Sequence, residues 1–257
     1  MSISGILRRS RTAVGLMGDF RRLWEFRRRV KARAQIRAYL RRHRVCTLQL
    51  GCGFNGLEGW LNTDLAPARK EIVFLDVSRR FPIAGATFDL VYSEHLIEHL
   101  TLPQGRVMLS ECYRILRPGG AIRIATPDLR RIIGLLKPAP TELERMYLEW
   151  STQKFLPWAP GPSGACVVNN FFRDWGHQFI YDEDMLRFQL DDAGFVGIHG
   201  CEYSESAVPE FRGVETHAAA TGNEAMIVFE TMILEARKPG VNSLISGSDV
   251  VAGHDDA

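Results

Sequence analysis

Leu48-Gln49-Leu50-Gly51-Cys52-Gly53-Phe54-Asn55-Gly56 is a short apolar run that empties into a glycine-rich turn. The turn satisfies the spacing Gly-x-Gly-x-x-Gly, which lets backbone pass close to a ligand where a Cβ would collide. A second apolar run, Gly59-Trp60-Leu61-Asn62-Thr63-Asp64, ends in an acid thirteen positions after Gly51. Dinucleotide-binding units place that acid about 20 residues on, so the spacing argues against NAD. Between Gly53 and Trp60 there is room for little more than one helical turn, whereas an ordinary crossover takes at least about 10 to 12 residues. The first helix is therefore expected to be stunted.

Working outward, Cys46 to Leu50, Leu61 to Asp64, Ile72 to Asp76, Asp89 to Ser93 and Ala121 to Ala125 read as short strands. Gln104 to Leu116 has helical periodicity and stops at Pro118-Gly119-Gly120. Alternation of this kind predicts a parallel sheet covered on both faces. Residues 127–180 break the rhythm, with helical pieces near Leu129 to Leu136 and Thr141 to Trp150 and then a loop rich in Pro, Gly and Asn. An insertion of that length reads as a lid or binding loop. Asp182 or Asp184 caps a helix through Leu190, and Phe195 to Tyr203 and Met226 to Glu235 read as closing strands. From Pro239 on the chain has no periodicity, and 240–257 reads as a loose tail.

Glu71-Ile72-Val73-Phe74-Leu75-Asp76, then Phe88-Asp89-Leu90-Val91-Tyr92-Ser93-Glu94-His95, then Leu116-Arg117-Pro118-Gly119-Gly120 follow the glycine turn in order. Over roughly residues 46 to 130 this order resembles class I S-adenosylmethionine-dependent methyltransferases, most specifically at the Leu-Arg-Pro-Gly-Gly turn. It is also similar to a small bacterial methyltransferase group that opens Gly-Cys-Gly…Gly-Trp-x-Asn-x-Asp. The resemblance implies an α/β, Rossmann-like, doubly wound and mostly parallel seven-stranded sheet with an antiparallel last strand. It implies S-adenosylmethionine as cofactor, a molecule without phosphate, so the turn needs no lysine. Gly51, Cys52 and Gly53 would bring backbone to the cofactor, and Asp64 would accept both ribose hydroxyls. Asp76, or the backbone beside it, would face adenine. Ser93 and Glu94 would lie near the sulfonium, at the carboxyl end of a strand. For both aspartates a turn-capping role remains open.

His95-Leu96-Ile97-Glu98-His99 also fits His-x-x-Glu-His, the inverted zinc-hydrolase signature. A similar run follows the fourth strand in the methyltransferase group, so that context accounts for it, and no metal is expected. His95 opens the segment and points toward an acceptor, while Glu98 and His99 stabilise it or pair with each other. The lid carries Asn169, Asn170, Arg173, Asp174, Trp175, His177 and Tyr181, a set suited to a polar acceptor, with Trp175 as core filler in the plainer alternative. Arg212 to His217 is a further segment placed to close over the site. The reading is O-methylation of a sugar-like or glycan hydroxyl, with His95 or His177 as general base and Glu94 as the reserve. A non-catalytic cofactor-binding or membrane-docking protein on the same fold is the alternative.

At 257 residues and 46% hydrophobic content the chain can bury a full core. It has no apolar run of about 18 residues that would span a bilayer. Cys46, Cys52, Cys112, Cys166 and Cys201 are far apart and read as free thiols. The net charge of +2 conceals an asymmetry: residues 1–44 hold 14 Lys and Arg against Asp19 and Glu25. Leu16, Met17, Phe20, Leu23, Trp24, Phe26, Val30, Ile36 and Leu40 recur at mostly helical spacing. The expected division is a basic amphipathic arm at 1–44 and a catalytic domain at 45–239. The arm packs on the domain, docks on an anionic membrane surface, or binds nucleic acid, the last least favoured. The apolar stretch after Arg8-Arg9 is too short for export. The protein is expected in the cytoplasm, with a peripheral place at the inner membrane face if the arm docks.

Overall fold

The computed structural model describes residues 27–241. Seven strands make one sheet: β1 (Thr47–Leu50), β2 (Leu61–Asp64), β3 (Val73–Phe74), β4 (Phe88–Glu94), β5 (Leu116–Pro127), β6 (Val196–Gly200) and β7 (Thr231–Arg237). Their order is β3-β2-β1-β4-β5-β7-β6. The first five run parallel, and β7 lies antiparallel between β5 and β6. This is the expected fold class. All four residues of β1 are buried, as a central parallel strand requires. Its register pairs Leu50 with Ser93, so the glycine turn after β1 and the segment after β4 leave the sheet side by side. The strand order reverses between them, which is where open α/β sheets form ligand crevices.

No helix forms between β1 and β2; the expected stunted helix is a turn. Asn62 fastens it, accepting from Leu57 N at 2.9 Å and donating to the Leu57 carbonyl at 2.9 Å. Gln49 adds a bond to the Asn55 carbonyl at 3.1 Å. The ten residues between the strands cannot turn out of one, complete a helix and enter the next, so side chains replace the helix as the brace. β3 is also shorter than Ile72 to Asp76, because only Thr63 and Asp64 of the short β2 are there to pair with it.

Residues 27–42 are helical and form α1. Its inner face buries Ala32, Ile36 and Tyr39 in the main core, each large side chain worth about 1.5–3 kcal/mol. Tyr39 Oη accepts from Thr47 N at 3.0 Å and donates to the Gly59 carbonyl at 3.1 Å. The guanidinium of Arg28 lies 4.7 Å from the Phe74 ring centroid. This part of the basic arm packs on the domain. The expected arm residues Leu16 to Phe26, and the tail from 242 on, lie outside the described residues.

α2 (Leu102–Ile115) is held by a capping box between Thr101 and Gln104 and tolerates Pro103 in its first turn. The insertion is a folded helical layer with its own core. α3 (Leu129–Gly134), α4 (Glu142–Phe155) and α5 (Gly164–Arg173) bring together Leu135, Tyr147, Val167 and Phe171. α5 replaces part of the expected loop; Gly161-Pro162-Ser163 precedes it, and Ser163 is its cap. Asp182 caps α6 (Glu183–Asp192), accepting from Met185 N at 2.9 Å. The expected strand Met226 to Glu235 divides. Asn223 starts α8 (Glu224–Glu230), after the short α7 (His217–Thr221), and only Thr231 onward is strand. Met226, Ile227 and Glu230 are the buried positions, a helical spacing inside a run whose apolar residues read as β.

Candidate active site

A cavity of about 430 Å³ opens where β1 and β4 end, within the size range of small-molecule sites. Gly51, Cys52, Gly53, Phe54 and Asn55 form one wall. Gly51 has φ +62°, and a Cβ there would lie 2.7 Å from Leu96. Gly53 has φ +54° and open space where a Cβ would stand, a cradle of bare backbone. Cys52 N donates to the Thr63 carbonyl at 3.0 Å. Burial, with Asp64 nearby, pushes its thiol up to about 11, so it remains protonated.

Asp64 is joined to this wall: Oδ2 accepts from Gly53 N at 3.0 Å and Oδ1 from Ala66 N at 2.7 Å. Each oxygen keeps a lone pair for a ribose hydroxyl. Asp76 is elsewhere. It bonds Ser78 N and Oγ at 3.1 and 2.6 Å, pairs with Arg79 at 3.0 Å, and lines a separate hollow with Arg29, Arg33 and Phe74. Ser93 is fully buried within the ladder and does not line the cavity.

The opposite wall comes from four separate segments. His95, φ +45°, leaves β4 by a sharp turn, and only Ile97–His99 makes a 3₁₀ turn. The two histidines are therefore not one α-helical turn apart, and the zinc-hydrolase geometry does not form. His95 Nδ1 lies 3.2 Å from Glu98 Oε1, and Nε2 lies 3.2 Å from Thr231 Oγ1. Burial opposes charge on His95, but Glu98, with Glu230 and Glu94, raises its pKa above the ordinary value. Burial likewise opposes charge on Glu98, yet the His95 contact lowers its pKa. Glu98 Oε2 accepts from Thr126 Oγ1 at 2.9 Å, and the residue is wholly buried.

Glu94 is already occupied. It accepts from Thr216 N, Thr216 Oγ1 and His217 N at 2.9–3.2 Å, capping α7 and fastening His217 over the cavity. His217 stacks on His95 with centroids 4.1 Å apart, and burial followed by the His95 charge lowers its pKa to about 4. Glu230, at the end of α8, accepts a hydrogen bond from Tyr147. Burial raises its pKa to about 7.

The lid residues divide between these roles. Gln178 N and Phe179 N both donate to the Glu98 carbonyl, at 2.8 and 3.1 Å, bringing His177 against His99. His177 Nδ1 lies 2.8 Å from the Phe171 carbonyl, and burial depresses its pKa. Trp175 sits edge-on to Phe155 and Phe171 and lines the cavity beside Trp150 rather than filling core. Asn169 bonds within its helix, Asn170 is buried, and Tyr181 lies in the main core. His99, Glu98 and Glu230 were not placed in the site by sequence, whereas His217 ends the segment expected to close over it. For Glu98 the one available signal was its place in His-x-x-Glu-His.

The mostly parallel seven-stranded sheet with its last strand reversed is the arrangement the sequence resemblance implies, and the structure adds the order 3-2-1-4-5-7-6 with a glycine cradle at its switch point. Residues 48–124 match the family model described as a methyltransferase domain. That stretch carries the match to an S-adenosylmethionine-dependent methyltransferase domain. Its cofactor is S-adenosylmethionine, and the open glycine wall with Asp64 behind it fits that molecule. A search of curated proteins finds no match. Among solved structures, an S-adenosylmethionine-dependent methyltransferase from Archaeoglobus fulgidus is similar with TM-score 0.44 and 18% identity, over 82% of this chain and 94% of that one. One from Mesorhizobium loti has TM-score 0.44 and 16% identity, over 75% and 90%. Phosphoethanolamine N-methyltransferase 2 of Haemonchus contortus, in complex with S-adenosyl-L-methionine, has TM-score 0.41 and 14% identity over 76% of this chain. The matched region is 49% of that longer protein.

Proposed function

We propose that the domain transfers the methyl group of S-adenosylmethionine to a hydroxyl of a polar, sugar-like acceptor. The observation that supports this reading is the second wall: His95, His99, His177, His217, Glu98 and Glu230 face a glycine cradle across one cavity. A hydroxyl is a weak nucleophile near neutral pH and needs a proton acceptor. A protein that only bound cofactor would have no use for so many buried proton-accepting groups. Trp150, Phe155 and Trp175 give the acceptor's C–H faces an apolar surface.

Bound cofactor supplies an electrophilic methyl. In our assignment, backbone at Gly51, Cys52 and Gly53 approaches it and Asp64 accepts from its ribose; Asp76, which lines a separate hollow, takes no part. Ser93 acts through strand geometry, since its hydroxyl does not reach the cavity. Both nitrogens of His95 face partners, which makes it a positioning residue. Glu230 is the group held near neutrality with its second oxygen unassigned, and we give it the base role. Glu94 keeps the α7 segment in place. The test is single-turnover methyl transfer with a panel of hydroxylated acceptors. Glu230→Gln should slow transfer by about 100-fold with cofactor affinity intact, and an unchanged rate removes Glu230 as base.

An anionic membrane surface remains the proposed partner of the N-terminal region. Arg27, Arg29, Lys31, Arg33, Arg37, Arg41 and Arg42 are exposed on α1, which has no acidic residue. Each base that reaches an anionic surface contributes about 1 kcal/mol. Full-length protein should cosediment with phosphatidylglycerol vesicles and be released by salt. Equal cosedimentation after replacement of four of these arginines by glutamine overturns the assignment. No helix among the described residues is long and apolar enough to cross a membrane.

A further inference from the structure

Three side chains in the second wall converge in a way that base catalysis does not require. Glu98, His99 and His177 each place a ligand-type atom within 4.8 Å of the other two. We propose that these residues bind a divalent transition-metal ion whose remaining coordination position takes the acceptor's oxygen. The inference deepens the methyltransferase reading and rests on it for the identity of the last ligand.

The three groups are set up as ligands. The Phe171 carbonyl beside His177 Nδ1 can only accept, so that nitrogen carries the proton and Nε2 presents its lone pair. A ligating histidine is usually oriented by such a bond on its other nitrogen. Glu98 is fully buried, with Oε2 fixed by Thr126. Its Oε1 has no partner in hydrogen-bond geometry, although His95 Nδ1 stands 3.2 Å away. The His95 contact leaves that oxygen a further lone pair, which a metal ion can take. The rings of His99 and His177 meet at 72° with centroids 4.9 Å apart, a crossing that lets two lone pairs aim at one point.

Neighbouring groups are less suited. His95 and His217 form a triad with Glu230, but their rings are stacked at 24°, which turns the lone pairs alongside one another. In the His199, Cys201 and Glu235 group, Glu235 is already paired with Arg123 at 2.5 Å. Zinc–ligand distances of about 2.0–2.2 Å would bring tetrahedral donors to about 3.4 Å from one another, so modest rotations of His99 and His177 close the set. Two imidazoles with one carboxylate favour Zn²⁺ or Co²⁺ over Mg²⁺ or Ca²⁺. Three protein ligands leave the fourth position open, as in catalytic zinc sites. An acceptor oxygen in that position is aligned and more readily deprotonated. In the transfer, the sulfonium C–S bond breaks as the O–C bond forms, and the hydroxyl proton passes to Glu230. The sequence reading expected no metal because the methyltransferase context accounted for His-x-x-Glu-His; the fold brings His99 to His177, outside that motif.

Chelator-treated full-length protein titrated with Zn²⁺ by calorimetry should take up one ion at this site. Co²⁺ should give the visible absorption of a four- or five-coordinate ion. His99→Ala and His177→Ala should each weaken uptake by at least about tenfold, with S-adenosylmethionine affinity retained as evidence of folding. Should either variant misfold, the Co²⁺ protein must show two paramagnetically shifted imidazole N–H signals. Wild-type protein that takes up no ion overturns the proposal. So does uptake that survives both variants, loss in His217→Ala alone, or absence of the shifted signals. Cofactor affinity is measured in the same samples: failure to bind S-adenosylmethionine overturns the methyltransferase reading, while metal uptake without it leaves the ion site standing.

Discussion

The two walls of the cavity are built in opposite ways. The glycine wall comes from one stretch, Gln49 to Asn55, and offers mainly backbone held by short-range bonds such as Gly53 N to Asp64 behind it. The facing wall offers side chains drawn from 94–99, 150–155, 175–177 and 216–230, tied together by long-range bonds such as Gln178 N to the Glu98 carbonyl and Thr216 N to Glu94. Local construction makes the first wall depend little on distant residues. The second wall depends on distant anchors, and a break far from the cavity should disassemble it.

The largest test of that contrast is Arg123. Its fully buried guanidinium bonds Glu215 at 2.6 Å and Glu235 at 2.5 Å and also donates to the Glu205 carbonyl at 2.8 Å. It fastens the segment that leads into Thr216 and His217. Arg123→Ala leaves two buried carboxylates without their cation, and equilibrium unfolding should show a loss of about 3–5 kcal/mol. The triple change Arg123→Met, Glu215→Gln, Glu235→Gln should recover much of it. If Arg123→Ala is nearly neutral, the second wall does not depend on its anchors.

Glu230 carries the next effect and separates function from stability. Burial raises its pKa from an ordinary 4.5 to about 7. Between those values the unfolded chain loses this proton while the folded protein keeps it, so stability should fall as pH rises from about 4.5 to about 7. Glu230→Gln should remove that slope and leave the variant more stable at pH 8, by on the order of 3 kcal/mol at most. Transfer should run the other way: wild-type single-turnover rate should rise with an apparent pKa of about 7, and the variant's should not. A variant less stable at pH 8 would show that the buried carboxylate is fully compensated there.

On the glycine wall, Asp64→Ala should weaken S-adenosylmethionine binding by roughly 1.5 to 3 kcal/mol, measured by calorimetry, with melting temperature nearly unchanged. A large loss of stability instead would mean that Asp64 serves mainly to hold Gly53 and Ala66. Gly164→Ala sharpens the comparison from the lid. A Cβ there would lie 2.2 Å from the Leu135 carbonyl, and backbone cannot yield cheaply. Destabilisation of about 1–3 kcal/mol is expected, together with weakened acceptor binding while cofactor affinity stays closer to wild type. The smallest effect belongs to the exposed Arg106–Asp192 pair at 2.6 Å, far from both walls. Arg106→Ala should change stability by less than about 1 kcal/mol.

What the sequence determined is what local spacing encodes. Short apolar runs between turn residues located the strands, helical periodicity from Gln104 located α2, and the interval from Gly51 to Asp64 argued against NAD. The misread elements are those where local preference lost to tertiary contact. Met226 to Glu230 reads as strand but turns helical because the lid core takes Met226 and the cavity takes Glu230. His95 to His99 reads as helix but opens after a left-handed turn, because Glu98 must face Thr126 and His95. The resemblance puts Asp76 and Ser93 in the site, yet one is bound to Ser78 and Arg79 and the other is enclosed by its neighbouring strands. The second wall was decided only by tertiary structure. His99 meets His177, and His95 meets His217, across separations that no periodicity spans. Chain folding alone sets which polar groups share a buried volume, and that volume raises the pKa of Glu230 and sets Glu98 beside His95.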